Sequence, residues 1–171
     1  MKRILYIILC LVAILFSCTK EDRNIMIVNQ EESIDRYINS LKGVRIARNG
    51  GSNRLVYTEG NGRDTLALGD SVRFFYAGYV FSNGKGTLFA TNDTIVANKN
   101  DFNLDGGVEG KILSSKDMLA GLANGLVGAR AGEKCDVVFS AKYGYDNDVV
   151  YNVPKMSPLI FEVWIEDVVK N

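Results

Sequence analysis

The sequence predicts an α+β domain: an antiparallel sheet wrapping one short helix, with a second helix ahead of it. Three observations carry this reading. From residue 43 onward, short runs of β-type residues alternate with turns rich in Gly and Asn. Helical apolar spacing is confined to Gln30–Leu41 and Lys116–Leu126. No fixed-period repeat runs through the chain, and its 171 residues suit one domain. Composition agrees, with 47% apolar and 23% charged residues.

The first element is a targeting segment. Lys2 and Arg3 precede an unbroken apolar run of 13 residues, Ile4–Phe16. A membrane span needs about 20 residues, so this run has the length of a secretory core instead. Behind it, Leu15-Phe16-Ser17-Cys18 resembles the bacterial lipobox, with a small residue before the Cys. The expectation is a signal peptide over 1–17 and lipidation at Cys18, with acyl chains anchoring the protein to a membrane at about 0.8 kcal/mol per buried methylene. Thr19-Lys20-Glu21-Asp22 reads either as an ordinary polar tether or, by resemblance, as the surface-export signal of Bacteroidetes lipoproteins.

Residues 18–42 are expected to form a lipidated tether and a helix. The tether covers 19–30 and includes a small apolar patch, Ile25-Met26-Ile27-Val28. In the helix, Ile34, Tyr37, Ile38 and Leu41 form one apolar stripe suited to docking against the main domain, and Gly43 stops it. The main domain spans 43–171. Val44–Arg48 and Arg54–Thr58 flank Asn49-Gly50, a strong hairpin signal. Thr65–Leu68 leads to a long strand, Val72–Phe81. Residues 92–116 read as a long loop or insertion. A short helix at Lys116–Leu126 precedes the last strands, Lys134–Ala141 and Leu159–Val169. Cys135 sits in a strand with no neighbour that marks it as a nucleophile. Trp164 falls on the face opposite Phe161 and is expected to pack on the 34–41 helix or another outer element.

The chain has no His and equal numbers of basic and acidic residues, 20 of each. The first fact excludes Ser-His-Asp and Cys-His catalysis and HExxH zinc sites. The second gives no basic surface for a nucleic acid. No cofactor or metal is implied.

Several motifs occur in a telling order: Phe75-Tyr76-Ala77-Gly78 at a strand, a hairpin leading to Leu88-Phe89, and Met118-Leu119-Ala120-Gly121-Leu122 at the short helix. Gly132-Glu133-Lys134 then steps into a strand that leads to Tyr143-Gly144-Tyr145. Val153-Pro154 precedes Leu159-Ile160-Phe161-Glu162-Val163. Over roughly residues 60–171 this order resembles the FKBP-type peptidyl-prolyl isomerases, and the N-terminal anchor resembles that family's lipoprotein members. The resemblance implies a twisted, half-open antiparallel sheet curled around one helix, with an aromatic pocket between them. It implies pocket roles for Tyr76, Phe89, Met118, Leu119, Leu122, Tyr145, Val153 and Phe161. Leu122 stands where the family often has a Trp, and Tyr145 matches a loop Tyr that hydrogen-bonds a peptide carbonyl. Phe102 is the candidate for a further pocket aromatic. The family's acidic residue after the pocket Phe is missing, since Ala90 follows Phe89; Asp93 lies nearby in sequence.

Such a pocket needs no nucleophile or base. Rotation about a peptide bond has a barrier of about 18–20 kcal/mol because amide resonance is lost. A dry aromatic site disfavours the charge-separated planar amide, and a placed donor holds the twisted one. The sequence therefore suggests a lipid-anchored envelope isomerase, expected at the outer membrane, that acts on proline-containing segments of exported proteins and assists their folding. The alternative is a non-catalytic FKBP-like lipoprotein that binds a peptide or protein partner.

Overall fold

The computed structural model describes the backbone of residues 2–104, 109–114, 116 and 118–171, and their side chains from Lys20 onward except Glu109. The side chain of Cys18, the expected lipidation site, and the Gly106-Gly107 pair lie outside the described residues. Helix α1 (Lys2–Ser40) comes first, followed by β1 (Arg45–Asn49), β2 (Ser52–Thr58), β3 (Ser71–Phe81) and β4 (Lys85–Thr91). Then come α2 (Thr94–Lys99), β5 (Glu109–Ile112), α3 (Ala120–Leu126), β6 (Lys134–Phe139) and β7 (Leu159–Val169). The sheet is antiparallel throughout, in the order β1-β2-β6-β7-β3-β4, with β5 also paired to β3. This is the expected α+β architecture: a sheet around one short helix, with a helix ahead of it.

The turn chemistry explains the hairpins. Asn49 pairs with Ser52, leaving Gly50 and Gly51 as a two-residue loop with φ of 53° and 81°. Positive φ at both positions is what a type I′ turn requires, and its twist matches that of the strands. The inner face of the sheet carries the main core, which includes Phe74, Val137, Phe139, Phe161, Val163 and Ile165. Helix α3 lies on this face. Its Gly121 and Gly125 allow a very close approach: a Cβ on Gly121 would overlap the Phe139 ring, and one on Gly125 would overlap the Val137 side chain. Arg54, only 3% exposed, reaches Glu133 at 3.4 Å and donates to the Leu126 carbonyl at 3.4 Å. It thereby holds the C-terminal end of α3 to β2 and to the residue that enters β6.

The stripe on α1 docks as expected. Ile34 and Ile38 are buried on the outer face of the sheet against Leu55, Phe81, Val138 and Ile160, flanked by Tyr37 and Leu41. Four details differ from the sequence reading. Residues 19–30, expected as a tether, continue the helix, and Ile27 packs with Ala141 and Met156. The 92–116 segment is not a plain loop, because Asp93 caps α2 by accepting from the Val96 amide at 2.7 Å and β5 pairs with β3. Helix α3 starts at Ala120 rather than Lys116, since Leu119 is extended. Trp164 does lie on the outer face, but beside Phe75, its strand neighbour, and Asp93 rather than under α1. Among the described residues, no helix is long and apolar enough to cross a membrane.

The last two residues brace the start of β3. Lys170 pairs with the Asp70 carboxylate, which also accepts from the Ala67 amide at 2.7 Å. Chiefly through Lys170, and then through the Ala67 amide, the Asp70 pKa is held below its ordinary 3.8. A carboxyl with a lowered folded-state pKa stabilises the fold above its unfolded value and loses that contribution as pH falls through the folded value. Asp70→Asn should therefore flatten the acid limb of stability below about pH 4, as read by urea midpoints across pH. At α3, Gly121→Ala gains about 1 kcal/mol of helix propensity but overpacks the buried Phe139 ring at about 1–3 kcal/mol. A net loss of stability is expected in the same titration, and a gain would show that α3 can lift off the sheet.

Candidate active site

At the N-terminal end of α3, an apolar cleft of about 150 Å³ opens between helix and sheet. Strand β3 supplies Phe74 and Tyr76, which are two residues apart and so share a face. Strand β4 supplies Phe89 and Ala90; β5, Lys111; and β7, Phe161. Met118 and Leu119 come from the segment entering α3, Leu122 from its first turn, and Tyr145 from the loop after β6. Two adjacent β4 residues reach the cleft because the β3–β4 register shifts between Gly78 and Tyr79.

The aromatic rings form a connected set. Phe161 is the hub, with Phe89 edge-on at 5.6 Å and 89°, Phe139 stacked at 5.9 Å and 14°, and Tyr76 tilted at 6.2 Å and 48°. Tyr145 meets Phe89 edge-on at 6.0 Å and 75°. Edge-to-face pairs of this kind add about 0.5–1.5 kcal/mol beyond burial, so the rings fix one another. Gly78 leaves room for them: a Cβ there would come within 2.8 Å of Phe161 and 2.9 Å of Phe89.

The wall is held open by a side chain acting as backbone. Strand β3 pairs with β5 up to Phe74 and with β4 from Ala77. Between these stretches the buried Asn92 side chain accepts from the Tyr76 amide at 2.7 Å and donates to the Phe74 carbonyl at 3.1 Å. Thr91 donates to the Tyr76 carbonyl at 2.6 Å. Tyr76 is thus fixed to the wall at both its N–H and its C=O.

Burial raises the pKa of the Tyr145 phenol above its ordinary 10.0, so it stays an O–H donor through the neutral range. Burial likewise raises the Cys135 thiol well above its ordinary value, and that side chain is 1% exposed in the core. No group of three or more Cys, Asp or Glu is gathered as a metal site among the described residues.

The structure brings together seven of the eight side chains singled out in the sequence: Tyr76, Phe89, Met118, Leu119, Leu122, Tyr145 and Phe161. Val153 does not line the cleft. It is fully buried in the main core that also holds Phe89 and Phe161. Asp93 faces away, engaged as the α2 cap. Phe102 lines an adjoining cleft that shares Tyr76, Phe89, Ala90 and Tyr145 with the first and adds Tyr151 and Asn152. Three lining residues lie outside the eight: Phe74, Ala90 and Lys111. Phe74 was readable from the alternation with Tyr76. Lys111 was not, because the pairing of β5 leaves no local signal.

A scan against protein-family models matches residues 62–166 to the FKBP-type peptidyl-prolyl cis-trans isomerase family. The chain belongs to the FKBP-type peptidyl-prolyl cis-trans isomerase family. Membership places it among the peptidyl-prolyl cis-trans isomerases. Solved structures agree on the fold. The three FKBP domains of wheat FKBP73 align with TM-score 0.60 and 19% identity, covering 75% of this chain and 50% of that one. FkpA from Escherichia coli aligns with TM-score 0.60 and 19% identity over 95% of this chain and 70% of its own. A peptidyl-prolyl cis-trans isomerase from Pseudomonas syringae pv. tomato gives TM-score 0.59 and 16% identity, covering 88% and 92%. The chain thus spans half the length of the wheat protein. A search of curated proteins found no match.

The Asn92 bridge yields a test. Asn92→Ala leaves the Tyr76 amide and the Phe74 carbonyl without this partner, and each buried polar group so stranded costs about 1–3 kcal/mol. Chemical denaturation should show a loss of that order, and hydrogen exchange at the Tyr76 amide should accelerate ahead of β7. An unchanged Tyr76 amide would rule out the bridging role.

Proposed function

We propose that this cleft is a prolyl-isomerase site and that the protein is an envelope lipoprotein acting on proline-containing segments of exported chains. The observation that carries the first part is convergence: seven side chains from β3, β4, β7, α3 with its lead-in, and the loop after β6 line one apolar cleft. The ring of Phe161, flanked by Tyr76 and Phe89, receives the pyrrolidine. Met118, Leu119 and Leu122 close the helix side and exclude water. Stripped of water, the charge-separated planar amide is disfavoured relative to the twisted one. The Tyr145 hydroxyl donates to a peptide carbonyl and holds the strand while the X–Pro bond turns. All of this is differential binding of the twisted state, with no proton transferred.

The envelope assignment rests on Lys2-Arg3, the apolar run Ile4–Phe16 and Cys18 in register. On this reading the lipid chains at Cys18 hold the domain at the outer membrane, where it assists folding of exported proteins. Ala90 on the cleft wall, where the family carries an acid, favours a second reading: a peptide-binding module without catalysis.

A protease-coupled or NMR exchange assay on the full-length protein in detergent decides between them. Parent activity on a Leu-Pro peptide is expected, with a loss of about tenfold in Tyr145→Phe, equivalent to one hydrogen bond in the transition state. Because no proton moves and Tyr145 stays protonated, kcat/KM should be flat from about pH 6 to 9. Peptide binding without turnover would establish the second reading, and a bell-shaped profile would refute the mechanism.

A further inference from the structure

We infer that Arg23 and Gln30 on α1 are positioning residues for the isomerase site, acting through the loop that presents Tyr145. This inference rests on the isomerase reading of the cleft. The loop runs from the end of β6 to the start of β7 and closes on itself: the Met156 amide donates to the Asp146 carbonyl at 2.6 Å. Both residues at this closure have left-handed backbones, with φ of 51° at Asp146 and 54° at Met156. For a residue with a Cβ that conformation is unfavourable and persists only where the surroundings enforce it.

Helix α1 holds both of these residues. Arg23 donates to the two Asp146 carboxylate oxygens at 3.0 and 2.8 Å, a bidentate pair. Gln30 donates to the Met156 carbonyl at 2.6 Å and accepts from the Ala141 amide at 2.9 Å. Ile27 fills the space between Ala141 and Met156. The contacts span more than 100 positions of sequence and meet at the foot of the loop, one residue from Tyr145. From there the loop reaches across the cleft mouth, where Asn152 donates to the Leu88 carbonyl at 3.1 Å, next to Phe89. With the foot clamped, the Tyr145 hydroxyl has one place to be. With the foot free, the donor samples many, and the lost preorganisation lowers turnover more than substrate binding.

The test uses the full-length protein in detergent with Arg23→Asp, Gln30→Leu and the swap Arg23→Asp/Asp146→Arg. Hydrogen–deuterium exchange of residues 141–156, kcat and KM on a Leu-Pro peptide, and calorimetric binding of that peptide are measured. Each single variant should lose about five- to tenfold in kcat with a smaller change in KM. Exchange in 145–153 should accelerate while that in β3 and β7 stays as in the parent, and the swap should recover kcat. Unchanged exchange and unchanged kcat overturn the proposal, as does a uniform rise in exchange across the sheet, which would mark a merely structural role. A parent that binds peptide without turning it over sinks the isomerase reading alone. Peptide affinity then serves as the readout, and affinity unaltered in the single variants overturns the clamp.

Discussion

The pocket exists because α3 lies almost in contact with the sheet. Gly121 and Gly125 are four residues apart, so they share a face, and that face carries no side chains to hold the helix off Phe139 and Val137. A helix with ordinary side chains there would stand further out and open the floor of the cleft to water. Arg54 grips the far end of α3 at the Leu126 carbonyl and meets Glu133, the residue just before β6, so the helix end is tied to the sheet. The near end is left to apolar residues, and there the cleft opens.

Around this contact, polar side chains repeatedly take the place of missing backbone partners. Asn92 fills the break where β3 passes from β5 to β4, and Gln30 joins Ala141 to Met156 at the foot of a loop with no strand partner of its own. Both sit where regular sheet would have sealed the cleft or left its wall loose. An amide side chain offers a donor and an acceptor at once, so one residue satisfies a backbone N–H and a backbone C=O together. The cleft is thus bordered by irregular chain that is nonetheless held at defined points.

Much of this was legible in the sequence because it is encoded locally. The Gly50-Gly51 turn, within the Asn49-Gly50-Gly51 run, the α1 stripe and the alternation in β3 and β7 each follow from neighbours a few residues apart. So does the order of motifs that brought seven of eight cleft residues forward. What escaped depends on distant partners. Helix α1 extends through 19–30 because Ile27, Arg23 and Gln30 find contacts on the 141–156 loop. Strand β5 forms because the first half of β3 offers an edge. Val153 has the place of a wall residue before Pro154, but its side chain is fully buried in the main core. Trp164 was placed on the correct face, yet the length of α1 in contact with the sheet ends at the Leu55–Ile160 patch and does not reach it.

The position of that single tryptophan has a spectroscopic consequence. Trp164 sits half-buried on the convex side of the sheet beside Phe75, while Leu122 occupies the place on the cleft floor that resembles the family's usual indole position. Emission excited at the indole band therefore reports whether the sheet is intact and stays dark to whatever enters the cleft. Of the eight tyrosines, Tyr76 and Tyr145 line the cleft itself, while Tyr37 and Tyr79 pack on the outer face. The single indole thus follows folding from outside the cleft, a separation that an indole on the cleft floor would blur.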